Sequence, residues 1–311
     1  GTHGGVQLLL VGDLFQLPPV VEHHDLQRYF RRVYRSPHFF SARALRSTSI
    51  VPVEMAQVFR QRDPEFTKLL NDIREGRGVE AAVALLNDRC ARATEAPEKL
   101  APRVILTPTN QAADQKNAEA LAALPGEARL YRGMLEGRFD PDRERLPSPQ
   151  NLELKVGAQV MFTKNDPSRR WVNGTLGIVR ELHAERARVA LTFEPGDVTY
   201  DVEPVSWDKI RYLWNERTER IEKEVLGRYV QLPLMLAWST TIHKAQGQTL
   251  DAVEIDLGPG AFAPGQAYVA LSRCRELSGI RLTRPIRVDD IKCDPEIVRF
   301  YGELRRQMQG G

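Results

Sequence analysis

The sequence predicts an α/β protein with a parallel sheet, interrupted by a small inserted antiparallel β-barrel, and three observations lead there. A continuous apolar run, Val6–Val11, ends at Gly12-Asp13. A strand buried on both faces of a parallel sheet reads this way where it opens into a loop. Helical and short apolar segments alternate from 63 to 124 and again from 234 to 274. Between them, from 158 to 207, hydrophobicity alternates with period two between Gly, Asn, Asp and Pro turns. That spacing suits short strands of a small antiparallel barrel.

In chain order, Val6–Val11 is read as the first strand, and ligands of such sheets bind beyond its carboxyl end, at Asp13 and the loop stiffened by Pro18-Pro19. Asp63-Pro64 reads as an N-cap followed by proline in the first turn of a helix. Phe66, Leu69, Leu70 and Ile73 follow at helical spacing, and Gly76 stops it. A second helix is expected over Val79–Cys90, a strand over Val104–Leu106 and a helix over Asn110–Leu124. Arg138–Pro149 reads as an exposed connection. Strands are expected at Ala158–Phe162, Thr175–Leu182, Arg186–Phe193 and Asp197–Trp207, and α/β character returns at Leu234–Thr241, Ala252–Asp256 and Gln266–Cys274. The composition break near Thr94–Pro102 marks a first boundary, which gives three expected parts: 1–97; 98–155 with 232–311; and an insertion, 156–231.

The 311 residues suffice for two packed domains, and 42% hydrophobic with 27% charged residues describes an ordinary globular chain. No apolar run approaches the roughly 20 residues a bilayer crossing needs. Cys90, Cys274 and Cys293 match neither a zinc spacing nor a C-x-x-C pair, and reduced thiols are the expectation. His23-His24 lacks partners at ligand spacing, so no metal site is expected. A net charge of +3 does not by itself announce nucleic acid. Basic residues cluster at Arg28, Arg31, Arg32 and Arg35 and at Lys164, Arg169 and Arg170, as solvated faces or as binding tracks.

Five stretches, in order, resemble the PIF-type (petite integration frequency) DNA helicases of superfamily one, a 5′→3′ branch with RecD-like relatives. GGVQLLLVGDLFQLPPV (4–20) is similar to the family's third helicase motif. VFRQRDPEFTKLLNDIREG (58–76) resembles the motif that supplies an arginine near the nucleotide. ILTPTNQAADQKNAEAL (105–121) looks like the opening of the second RecA-like domain. LELKVGAQVMFTKN, with VNGTLGIV after it, is similar to the entry of the small barrel, which resembles the Src-homology-3 kind. STTIHKAQGQTLD (239–251) with GQAYVALSRCR (265–275) resembles the fifth and sixth motifs.

The resemblance implies two RecA-like domains, the first truncated, and a motor driven by ATP and Mg²⁺. Phosphoryl transfer needs charge stabilisation around the transferred group. Gln16, which both donates and accepts, takes the role of phosphate sensor, with a loop-capping glutamine as the plainer reading. Arg273 takes the arginine-finger role, against an ion pair with Glu276. Arg60 is a second arginine on the nucleotide or a partner of Asp63. Gly247 lets backbone approach a phosphate. For DNA, the resemblance points to Thr107, Thr109 and Asn110 at a loop-to-helix junction, to Lys164, and to His243 and Lys244. Phe15 and Pro18 would press on bases, though Phe15 equally fits a core. Trp171 fits barrel packing better than DNA.

No G-x-x-x-x-G-K-[ST] loop occurs in the sequence. In the family that loop and the Mg²⁺-binding acids precede the third motif, so a C-terminal portion is expected, inactive alone and partnered by the upstream half of the same helicase. Further expected partners are single-stranded and forked duplex DNA, with no membrane, for a motor working as a monomer in the bacterial cytosol, or in the nucleus or mitochondria of a eukaryote. The competing expectations are a non-catalytic single-strand-binding module and a RecD-like subunit of a nuclease-helicase assembly.

Overall fold

The computed structural model describes residues 7–19, 21, 24–34, 36–55, 57–94, 103–138, 146–192 and 198–309. In chain order come α1 (His24–Val33), α2 (Pro64–Glu75), α3 (Val79–Thr94), β1 (Val104–Thr107) and α4 (Asn110–Ala123). Then follow β2 (Arg129–Arg132), β3 (Met134–Gly137), β4 (Asn151–Leu154), β5 (Gln159–Phe162), β6 (Leu176–Leu182), β7 (Ala187–Leu191) and β8 (Thr199–Val202). β9 (Val205–Asn215), β10 (Arg220–Gln231), β11 (Leu234–Leu236), β12 (Ser239–Thr241), β13 (Val253–Ile255), α5 (Gln266–Leu271), β14 (Ile280–Leu282) and α6 (Pro295–Gln309) complete the chain. It divides into two compact units: 1–98, 106–108 and 242–311 in unit 1, and 99–105 with 109–241 in unit 2. β1 begins in unit 2 and ends in unit 1.

Unit 1 is α/β, as its sequence predicts. β13 and β14 run parallel, Val253 opposite Ile280, and the backbone N–H of Asp256 donates to Leu106 O at 3.0 Å. Helix α2 starts where expected, because the Asp63 carboxylate accepts from Glu65 N at 2.8 Å and Pro64 opens the first turn. It ends at Gly76, whose φ of 67° is the left-handed geometry a glycine tolerates best. The spacing of Phe66, Leu69, Leu70 and Ile73 puts all four on one stripe, and all four are buried. Helix α3 packs on α2 and β14. Asp294 begins α6 by accepting from Glu296 N at 2.8 Å, and also holds His38 Nε2 at 2.9 Å.

Unit 2 is mostly antiparallel. Its largest sheet has the order β11-β5-β6-β7-β8. The side chains of Leu154, Val160, Phe162, Val179, Val189 and Val202 form its core. A second sheet, β3-β10-β9, carries the long β9–β10 hairpin. Buried Asn117 of α4 acts as a surrogate strand toward β12, its amide donating to Ser239 O and accepting from Ser239 N, both at 2.8 Å. Among the described residues, no helix is long and apolar enough to cross a membrane.

Several expectations need correction. Gln7–Val11 forms no strand, and Leu9 and Val11 lie 81% and 84% exposed; Val6 is outside the described residues. An apolar sequence makes a strand only where neighbours complete its hydrogen bonds, and the described residues offer none there. Helix α3 runs on to Thr94 rather than stopping at Cys90. The single strand expected over Asp197–Trp207 is two, β8 and β9, separated at Glu203-Pro204, where proline has no N–H for the ladder; Asp197 is outside the described residues. Of the Gln266–Cys274 stretch expected to carry α/β character, α5 is the helical part and ends at Leu271. Of the first basic cluster, Arg28, Arg31 and Arg32 lie on α1, which buries nothing, and Arg35 is outside the described residues.

Candidate functional site

The loop after Gly12 folds around one carboxylate. Asp13 Oδ1 accepts from Phe15 N at 3.1 Å and its main-chain oxygen accepts from Gln16 N at 3.3 Å. This is the self-bonded turn that aspartate favours. Its Oδ2 accepts from Gln16 Nε2 at 3.3 Å and from the Tyr268 hydroxyl at 2.8 Å. Tyr268 comes from α5, 255 residues away in sequence. Burial first, and then the Asp13 carboxylate, push the Tyr268 phenol well above its usual range. Burial alone would lower the Arg74 guanidinium, but Tyr268 and Asp13 beside it leave it raised.

Gly265 explains how α5 comes so close. A Cβ there would run into Phe15 O and lie 2.9 Å from Gln16 O, and the φ of 73° is itself a glycine conformation. Loop and helix meet backbone to backbone.

Arg273, just past α5, is fully buried. Its Nε donates to Val269 O at 2.9 Å, one terminal nitrogen to Gln248 O at 3.2 Å and the other to Ser272 Oγ at 2.7 Å. All three acceptors are uncharged, so the alternative of an ion pair with Glu276 is not what the structure has. Burial, and next the nearby Arg60, press the Arg273 guanidinium down to about 10, while Tyr268 and Asp13 oppose the shift. Arg60 is not paired with Asp63 either: its Nε donates to Thr249 Oγ1 and its Nη1 to Ser272 O, both at 3.1 Å.

One short segment touches three of the four residues predicted for the nucleotide and contains the fourth, Gly247. Gln246 Nε2 donates to Gln16 Oε1 at 2.9 Å, Gln248 O holds Arg273, and Thr249 holds Arg60. Gly247 lies among them at φ 86°, with open space where a side chain would stand. Two guanidinium groups bonded, among the described residues, only to neutral oxygens, with Arg74 Nε buried and without a partner among them, form a cluster that an incoming phosphate would complete. The donor set fits a nucleotide's phosphates. No group of three or more metal-ligating side chains occurs among the described residues.

The residues expected to meet DNA are divided between the two units, with Phe15, Pro18, Thr107, His243 and Lys244 in unit 1 and Thr109, Asn110 and Lys164 in unit 2. Phe15 is 6% exposed, edge-on to Tyr301 at 4.9 Å and beneath Arg74, so its role is corrected from pressing on bases to packing. Thr107 is corrected likewise: its side chain is fully buried at the end of β1. Pro18 is half-buried. Thr109 is exposed and its hydroxyl caps α4 by accepting from Ala112 N at 3.3 Å, with exposed Asn110 next to it. Lys164 donates to Ser206 O at 2.6 Å and lies over the Trp207 ring. His243 and Lys244 sit half-buried in the turn before Gly247. Trp171 packs on Phe162 at 4.4 Å, as a core residue. The sequence reading missed Arg74 and Gly265 and gave Tyr268 no role. A glycine directly before a short apolar helix was the available signal for the second.

Known proteins resemble this chain along nearly its whole length. Residues 144–182 match the family model described as DNA helicase Pif1, 2B domain. The human ATP-dependent DNA helicase PIF1 is 36% identical over 312 residues, covering 97% of this chain; the chain spans 44%, under half, of that relative's length. A crystal structure of Bacteroides Pif1 bound to ssDNA superposes with a TM-score of 0.72 at 32% identity, covering 98% of this chain and 68% of the other. The Bacteroides sp Pif1 structure in complex with ADP-AlF4 superposes with a TM-score of 0.79 at 32% identity, covering 95% and 66%.

Proposed function

The chain belongs to the Pif1 helicase family, and from that premise we propose that it works as part of an ATP-driven helicase moving 5′→3′ on single-stranded DNA and opening forked duplex. The observation that carries the reading is the segment Gln246–Thr249, which holds Gln16, Arg273 and Arg60 at once.

In this reading Gln16 is poised by Asp13 and Gln246 to exchange one hydrogen-bond partner for another when the terminal phosphate leaves. Arg273 and Arg60 stabilise the charge that develops on the transferred group. Mg²⁺ supplies the remaining charge neutralisation, from acids other than those of this site. The His243–Thr249 segment carries the change toward the strand, with Lys244, Thr109, Asn110 and Lys164 as phosphate contacts. Residues 156–231 serve as a small barrel of the Src-homology-3 kind, inserted between 98–155 and 232–311 of a second RecA-like domain, with 1–97 belonging to the first.

The test is a protein in which this chain is joined to a G-x-x-x-x-G-K-[ST] loop segment. DNA-stimulated ATP hydrolysis is expected, with displacement from 5′-tailed but not 3′-tailed duplexes. Arg273→Ala should lower kcat about 10³-fold, the lower end of what an arginine finger contributes. Undiminished hydrolysis by that variant, or equal unwinding of both tails, overturns the assignment.

A further inference from the structure

The β9–β10 hairpin has two dissimilar faces. The register pairs Ile210 with Val225, Tyr212 with Lys223 and Trp214 with Ile221. Alternation along each strand puts these six side chains on one face. Trp214 and Tyr212 are each 61% exposed, Ile221 66%, Val225 52% and Ile210 41%. The opposite face holds the acids in pairs, Arg211 with Glu224 and Asn215 with Glu222, both at 2.6 Å. At the root of the apolar face Asp208 is neutralised by Arg228 at 2.9 Å. The remaining charge on that face is Lys223, which leans over the Tyr212 ring.

Among the described residues β3 pairs with β10 at Gly227–Val230, with Arg138 N donating to Leu226 O beyond it, and the segment from Ile210 to Val225 is a two-stranded ribbon. Such ribbons are marginal alone in water, and an apolar face of this size is a site for something else. Its area decides between occupants. With an aromatic side chain offering about 150–250 Å² when fully exposed, the five apolar side chains present on the order of 500 Å², short of the ~800 Å² per partner of a stable protein interface. A second copy of the chain is therefore held poorly. A strand of bases needs less: one ring per base and a cation for the phosphate. Tyr212 and Trp214 stand about 7 Å apart along the strand, so neighbouring bases of an extended strand meet one ring each.

We propose that this face of the β9–β10 hairpin is a stacking platform for single-stranded DNA, with Tyr212 and Trp214 taking bases and Lys223 a phosphate. The proposal rests on the single-strand-tracking function above and adds to it a contact surface on unit 2.

The test uses the 311-residue chain and a fluorescent 15-nucleotide single strand carrying 5-iododeoxyuridine. Photocrosslinks are expected at Tyr212 or Trp214. The Tyr212→Ala/Trp214→Ala variant, both residues being exposed, should keep its far-ultraviolet circular dichroism and lose roughly 10- to 100-fold in affinity. Lys223→Ala should flatten the salt dependence of binding. If the strand binds, the crosslinks map elsewhere and the double variant binds like the parent, this inference fails and the motor reading stands. If no strand binds, both fail. A dimer in light scattering that the double variant abolishes assigns the face to a second copy and overturns the proposal.

Discussion

The Tyr268 hydroxyl and the Gln16 carboxamide donate to the same oxygen, Oδ2 of Asp13, at 2.8 and 3.3 Å. The residue proposed to sense phosphate is thus tied to helix α5, which ends at Leu271, two residues before the arginine proposed as the finger. A hydrogen bond to a charged group contributes about 1.5–3 kcal/mol. Tyr268→Phe should therefore lower stability by about 2 kcal/mol in urea unfolding, and in the ATP-hydrolysing protein lower kcat more than it raises KM. A stability loss with unchanged kcat would make the bond merely structural.

Gly265 tests the same junction from the backbone side. Gly265→Ala adds a methyl against Phe15 O and forces a side chain onto positive φ. Strain of this kind costs about 1–3 kcal/mol. The variant should melt earlier and expose the Phe15 loop to limited proteolysis, whereas Gly258→Ala, with nothing near its Cβ, should leave that loop protected.

Much of this was legible in the sequence, and what was not has physical causes. The α2 boundaries follow from Asp63, Pro64 and Gly76 because capping is local chemistry. Gln16, Arg60 and Arg273 were singled out from their motifs, and the structure shows each bonded to the Gln246–Thr249 segment. Val6–Val11 misled because an apolar run records what it can bury, not whether neighbours exist to pair with it. The Asp13–Tyr268 bond joins positions 255 apart, which no local pattern encodes. The β9–β10 hairpin was missed although Ile210, Tyr212 and Trp214 alternate with polar residues at the strand period; the sequence reading ended its strand at Trp207, and no core-seeking pattern anticipates an apolar face left exposed.

Acid should unfold unit 1 partly through Asp290. Burial would raise this carboxyl, but hydrogen bonds from Arg284, Arg287 N and Ala261 N outweigh it and hold it at about 2. A depressed carboxylate contributes stability that is complete above its unfolded value, 3.8, and lost as pH falls toward 2. The expected loss is about 2 kcal/mol across that window. Asp290→Asn should be less stable at pH 7 and lose less stability than the parent between pH 4 and 2. An unchanged acid slope in the variant refutes the role.

The thiols give the alkaline counterpart. Burial pushes Cys90 up to about 12 and Cys274 up to about 11, from 9.0. A raised thiol contributes stability that is whole below pH 9 and declines as pH climbs through the folded values. Native protein at pH 8 should resist iodoacetamide at both positions, with alkylation tracking global unfolding. Fast labelling of Cys274 in native conditions contradicts the burial described.

Arg273 is sealed among dipoles, with a second cation near it and, among the described residues, no carboxylate bonded to it. Such a centre is under electrostatic tension at rest, and a phosphate arriving there, as proposed, would relieve a repulsion that already exists. Nucleotide should then act on unit 1 as a fastening agent: amide exchange should slow most in α5 and the Gln246–Thr249 turn, the parts strung around that one guanidinium.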